Sequence, residues 1–185
     1  MNMHINFLLE RNSALRLSAP APDRSELDVM LKSAYRVPDH AGLRPVRFIS
    51  VENHRLEAFG DVFEQALINR NPEASESQRK RARKSPLRAP MIVVVVGRIT
   101  SHPKVPAMEQ RLSAGCSAYA ILLAAEALGY AGIWRTGDAS RDFYVATALG
   151  MDKNEEIIGF LYLGTRIGEP KAIDKILPEG SVNYW

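Results

Sequence analysis

The 185-residue sequence contains a single cysteine, Cys116, so no disulfide within the chain can staple it and its stability must come from packing. That fits a reducing compartment. Long hydrophobic runs are also missing. The most apolar stretch, 118–128, carries Glu126 and is too short to cross a bilayer. The patch at 5–9 is broken by Asn6 and lacks the basic lead of a secretory signal. The expectation is a soluble, cytoplasmic protein with no membrane partner. His4, His54 and His102 show no metal-ligand spacing with one another or with Cys116, so no metal is expected. Gly129-Tyr130-Ala131-Gly132 lacks the glycine pattern of a dinucleotide-binding Rossmann turn. No internal repeat is present.

What is present describes an ordinary globular chain, 46% apolar and 24% charged. Its length predicts one domain over 1–185, burying roughly 70% of the surface that the unfolded chain exposes. The net charge of +3 favours phosphate-bearing ligands without specifying one.

Hydrophobic spacing predicts the elements. Ile5, Leu8 and Leu9 share one face of a first helix, which the prolines at 20 and 22 must end. Asp23 with Glu26 predicts a capped second helix whose stripe is Leu27, Met30, Leu31 and Ala34, stopped by Pro38. A strand over 47–51 precedes a helix over 56–67. Residues 69–77 read as a loop and the basic run Arg79–Lys84 as a short helix. The β-branched run 91–96 predicts a strand buried on both faces. Residues 113–130 form a helix apolar or small almost all round, to be buried by the domain or by a partner. Cys116, within it, is expected to be a buried small residue rather than a reactive thiol. A strand at 131–135, a helix at 143–149 and a strand at 157–164 follow. The pattern has no βαβ rhythm, so the fold class is α+β.

Three segments are specific in combination: Arg11-Asn12-Ser13 after the first helix, Ala34 to His40 after the second, and Gly129 to Gly137 after the small-residue helix. Together with Ser113-Ala114-Gly115-Cys116 and the closing Gly159 to Gly164, they resemble the nitroreductase family. The likeness is strongest to its short, YdjA-like subgroup of minimal NAD(P)H nitroreductases. It covers nearly the whole chain in the right order.

The resemblance implies a central, mainly antiparallel sheet flanked by helices, and a homodimer built on long helices with FMN at the interface. It implies FMN contacts from Arg11, Asn12 and Ser13 in the same subunit, from Arg36 and His40 of the other, and from Trp134, Arg135 and Thr136. The nicotinamide nucleotide, NADH or NADPH, is associated with Ala124, Ala125, Glu126, Ala127, Leu128 and Gly129. The implied activity is hydride transfer from NAD(P)H through FMN to small electrophilic acceptors such as nitroaromatics or quinones, with ping-pong kinetics and no protein acid or base required. Two positions depart from the family pattern. Asn12 stands where Arg is common, and Leu15 stands where many members carry Lys or Arg.

The chemistry suits these residues. Guanidinium forks such as Arg11 and Arg135 match phosphate oxygens, and Ser13 adds a hydroxyl donor. Simpler readings remain for each. Arg11 and Arg135 can be surface cations, Trp134 a core residue and His40 a loop residue. Two other functions stay open: a flavin-binding carrier or sensor without turnover, and a nucleic-acid module using Arg79–Lys84. That run lacks interleaved aromatics and follows Glu73 and Glu76, so a solvated helix face is favoured and no nucleic-acid partner is expected.

Overall fold

The computed structural model describes residues 2–173 and 179–185. Five strands form one sheet: β1 (Leu17–Ser18), β2 (Val46–Glu52), β3 (Met91–Arg98), β4 (Ala131–Arg135) and β5 (Glu155–Arg166). The order is β1-β5-β3-β2, with β4 also on β5, and each pairing is antiparallel. The helices are α1 (Met3–Glu10), α2 (Arg24–Ala34), α3 (Arg55–Arg70), α4 (Glu76–Arg83), α5 (Ala107–Ala127) and α6 (Phe143–Ala148). The expected α+β class and antiparallel sheet are both present.

Residue alternation divides the core between the two faces of the sheet. Ile92, Val94 and Val96 of β3, with Phe160 and Tyr162 of β5, pack against α3 and α6. Met91, Val93 and Val95, with Leu161 and Leu163, pack against α2 and α5. Both faces are covered by helices, so β3 is buried from Met91 through Gly97 and its β-branched run has no polar interruption. A bidentate ion pair fastens the far end of β5 to β2: Arg47 Nε and Nη2 each lie 2.6 Å from a Glu155 carboxylate oxygen.

The predicted cap of α2 is present as a full capping box between Asp23 and Glu26. The long helix differs from its predicted bounds. It begins at Ala107, six residues before Ser113, because Gln110 is not a surface residue. Its buried side chain accepts from Thr100 N and donates to Thr100 O and Val105 O, tying the preceding loop to the first turns. The helix ends at Ala127 rather than Tyr130. Gly129, at φ +84°, closes it with bonds from Gly129 N to Glu126 O and Tyr130 N to Ala125 O, a left-handed turn that glycine adopts without strain.

One expectation of burial is overturned within this chain. Cys116 is exposed, because Ser113, Ala114, Ser117 and Ala118 turn the inward face of α5 to the core and leave Cys116 outside. The first helix lies on the surface: it has no fully buried residue, Ile5, Leu8 and Leu9 are exposed, and Asn6 and Phe7 are partly buried. Among the described residues, no helix is long and apolar enough to cross a membrane.

Candidate functional site

Arg11 is the C-terminal cap of α1, and from there the chain runs extended into the sheet. Ala14 N donates to Gly132 O at 3.0 Å, and Leu17 and Ser18 pair with Arg166 and Thr165. The first motif is therefore laced to β4 and to the end of β5. Arg166 joins it directly, with Nη2 donating to Asn12 O at 3.2 Å. Sequence reading did not single out Arg166; its only signal is its place just beyond the closing strand pattern. The last turn of α5 adds Glu126. Burial raises the pKa of its carboxyl above the ordinary value, against the lowering pull of Arg11 and Arg166. Of the six residues 124–129, Glu126 supplies the polar side chain beside this cluster, while Ala125 is buried.

The Trp134–Thr136 segment leaves β4 with alternating directions. Trp134 turns toward α5, half-buried, with Nε1 donating to Ile158 O at 3.3 Å. Gly159 makes room for it: a Cβ there would overlap the indole nitrogen. Arg135 turns to the opposite face, its guanidinium carbon 5.7 Å from the centre of the Tyr162 ring. Thr136 is exposed. The segment separates two clefts. A cleft of about 620 Å³ on the α3–α4 side contains Arg135, Thr136, Phe160 and Tyr162 in its lining. A more apolar groove of about 760 Å³ runs along α5 past Leu112, Gly115, Cys116 and Tyr119. Trp134 and Thr136 line both.

Arg36 and His40 lie elsewhere. Ser117 Oγ donates to Ala34 O at 2.8 Å and Ser113 Oγ to Pro38 O at 2.9 Å, which lays residues 34–40 along α5 toward its N-terminus. There His40 Nδ1 meets Glu109 Oε2 at 2.6 Å. The Glu109 and Glu126 positions are about 25 Å apart along the helix at 1.5 Å per residue. One chain thus brings the first and third motifs together and leaves Arg36 and His40 at the other end of α5.

The nitroreductase family model matches residues 8–165 of this chain. The chain belongs to the nitroreductase family. A relative in Escherichia coli K12, named as an NAD(P)H nitroreductase (YdjA), is 39% identical over 161 residues, 87% of each chain. In fold, the chain is similar to a nitroreductase-like family protein from Bacillus cereus (TM-score 0.84, 17% identity, 100% of this chain and 96% of that one). It is also similar to a nitroreductase with bound FMN from Bacteroides fragilis (TM-score 0.74, 19% identity, 100% and 99%).

The family fold makes FMN the group to test against these side chains. Among the described residues, two buried side-chain polar atoms have no partner, Asn12 Oδ1 and Arg135 Nε. One is an acceptor and the other a donor, and leaving either unmet costs about 1–3 kcal/mol. Both fall within the motif set. FMN carries hydroxyl donors along its ribityl chain and acceptors on its phosphate and ring, groups complementary in kind to these two atoms. The residues fit the group.

The basic run Arg79–Lys84 does not present one continuous cationic face. Arg79 turns back to Ala74 O at 2.9 Å and Pro72 O at 3.0 Å, Arg83 pairs with Asp61 at 2.8 Å, and Arg81 lines the cleft that holds Arg135.

Proposed function

We propose that this chain is an FMN-dependent NAD(P)H oxidoreductase, a single FMN-binding domain over residues 1–185. The observation that carries the reading is the coincidence of the two orphaned buried atoms with Asn12 and Arg135. Arg11, Ser13 and Arg166 bind the phosphate end, through charge-assisted bonds of about 1.5–3 kcal/mol each. Arg135 and the backbone around Trp134 and Thr136 orient the ring. Residues 124–129 border the place of the nicotinamide nucleotide. Bound FMN supplies two-electron chemistry, taking a hydride from NAD(P)H and passing it to an electrophilic acceptor. For a nitro compound the balance is R–NO₂ + NAD(P)H + H⁺ → R–NO + NAD(P)⁺ + H₂O. The chain's own residues hold and orient the reactants, and no side chain acts as an essential acid or base.

The working unit in this reading is a homodimer through α5. Met108, Leu112, Cys116 and Tyr119 follow helical spacing on its outer face, and all are exposed in one chain. Two α5 helices packed antiparallel about a twofold axis set the His40 end of one against the Glu126 end of the other. Arg36 and His40 then complete the partner's site.

The decisive experiment is an absorption spectrum of the purified, dialysed protein, repeated anaerobically with NADH or NADPH. The expected result is a flavin band near ~450 nm that bleaches with the nicotinamide. A band that persists supports a carrier or sensor instead, and failure to take up added FMN overturns the assignment.

A further inference from the structure

Residues 34–40 are held by one stripe of α5. Glu109, Ser113 and Ser117 follow one another at four-residue spacing and therefore share a face of the helix. The two serines donate to backbone carbonyls, Ser117 to Ala34 and Ser113 to Pro38, and so fix the path of the chain. Glu109 takes a side chain instead, with Oε2 2.6 Å from His40 Nδ1. Asp39, the neighbouring carboxylate, is occupied elsewhere, since its Oδ2 accepts from Arg44 N at 2.7 Å. The turn that carries His40 is not one the backbone adopts unaided. Ala41, next along, sits at φ +62°, a left-handed value that a Cβ disfavours.

The His40–Glu109 pair is poorly placed to stabilise the fold. Its side chains are 54% and 46% exposed, and exposed pairs contribute little. It is well placed to orient a ring. A carboxylate only accepts, so Nδ1 carries the proton whether the imidazole is neutral or cationic, and Nε2 is left free. A histidine side chain without a partner prefers the opposite neutral form, with its proton on Nε2. Resting on the flavin and dimer reading above, we propose that Glu109 is a positioning residue for His40. It fixes the ring with Nδ1 turned to α5 and presents Nε2 to the FMN of the partner subunit's site. On the neutral ring Nε2 is an acceptor, and the hydroxyl and ring N–H donors of FMN suit it. A carboxylate of one subunit thus sets the hydrogen bond made in the site of the other.

The test has two parts. Long-range ¹H–¹⁵N spectra of histidine-labelled protein without flavin, in alkaline buffer where imidazoles are neutral, show which ring nitrogen carries the proton. Comparison with His40→Ala assigns the signal. Wild type is expected to show Nδ1–H, and Glu109→Ala to revert to Nε2–H. Titration with FMN is the second part. Glu109→Ala raises the Kd by about tenfold, the loss of one hydrogen bond, while the melting temperature of the flavin-free chain stays close to wild type. In the Glu109→Ala/His40→Ala protein the Kd equals that of His40→Ala alone, because the two residues act through one bond. The proposal is overturned by an Nε2–H ring in wild type, by a wild-type Kd in Glu109→Ala, or by losses that add in the double variant. Wild type that takes up no FMN fails the flavin assignment instead, and the tautomer then still decides whether Glu109 orients His40.

Discussion

Gly159 shows how much one missing atom can hold in place. Its bare Cα lets the Trp134 indole lie across β5 and reach Ile158 O, and Trp134 in turn separates the two clefts. A methyl group there has to displace the ring, since the other close atom is Arg135 backbone. Gly159→Ala is expected to destabilise the protein by about 2 kcal/mol, an overpacking cost. It should also shift tryptophan emission to the red, both read in one denaturation series followed by fluorescence. Unchanged emission would mean that the indole is not pinned there. At this scale the sequence is only partly legible. Arg11 and Ser13 stand out because they match a family motif, and the orphaned atom belongs to Asn12, the position between them that departs from it. Arg88 and Arg166 do not stand out, and Arg81 does so only as part of the basic run, because an arginine in sequence says nothing of the cleft it faces. Cys116 misled for the opposite reason: its alanine-rich surroundings suggest burial, but its angular position on α5 puts it outside.

Elements fare better, because hydrophobic period is a property of many residues at once. The stripe on α2, the β-branched run of β3 and the small residues of α5 each predict an element that is present. Boundaries depend on single bonds and are harder to read. The start of α5 turns on Gln110 reaching Thr100, a contact that spacing alone does not reveal. β1 is two residues long and exists through its pairing with Arg166 and Thr165, too brief for any period. The same dependence on a few bonds holds where β5 begins. Its Glu155 side chain is 2% exposed and paired with Arg47. The hydrogen bond from Arg47 holds the Glu155 carboxyl below its ordinary value near 4.5. A depressed carboxyl contributes its stability above the ordinary value and loses it as pH falls through the lowered one. Glu155→Gln should therefore cost about 2 kcal/mol at pH 7, discounted for the partial exposure of Arg47. The melting-temperature gap to wild type should close as the pH is taken below 4. A gap that persists in acid would show that packing, rather than charge, is what the substitution removed.

On the scale of the whole molecule, the candidate residues fall into two groups joined by the length of α5. His40 reaches the helix at Glu109, and Arg11 acts on Glu126 near its other end. Leu112, 61% exposed, lies between them on the outer face. Leu112→Glu is expected to leave the fold of each chain intact, because the side chain contributes little to its core. It should halve the mass measured by light scattering and lower FMN occupancy with it. A wild-type mass matching a single 20.6 kDa chain would overturn the dimer, and an unchanged mass in the variant would exclude α5 as the contact.

The shallow seating of α1 has a consequence for its neighbour. Eight residues of helix with no buried side chain have little reason to persist alone, since so short a helix is marginal in water. Fraying of α1 therefore stops at Arg11: the segment that follows is held by its own chain, through Ala14 N to Gly132 O and Arg166 to Asn12 O, and stays in place when the helix opens.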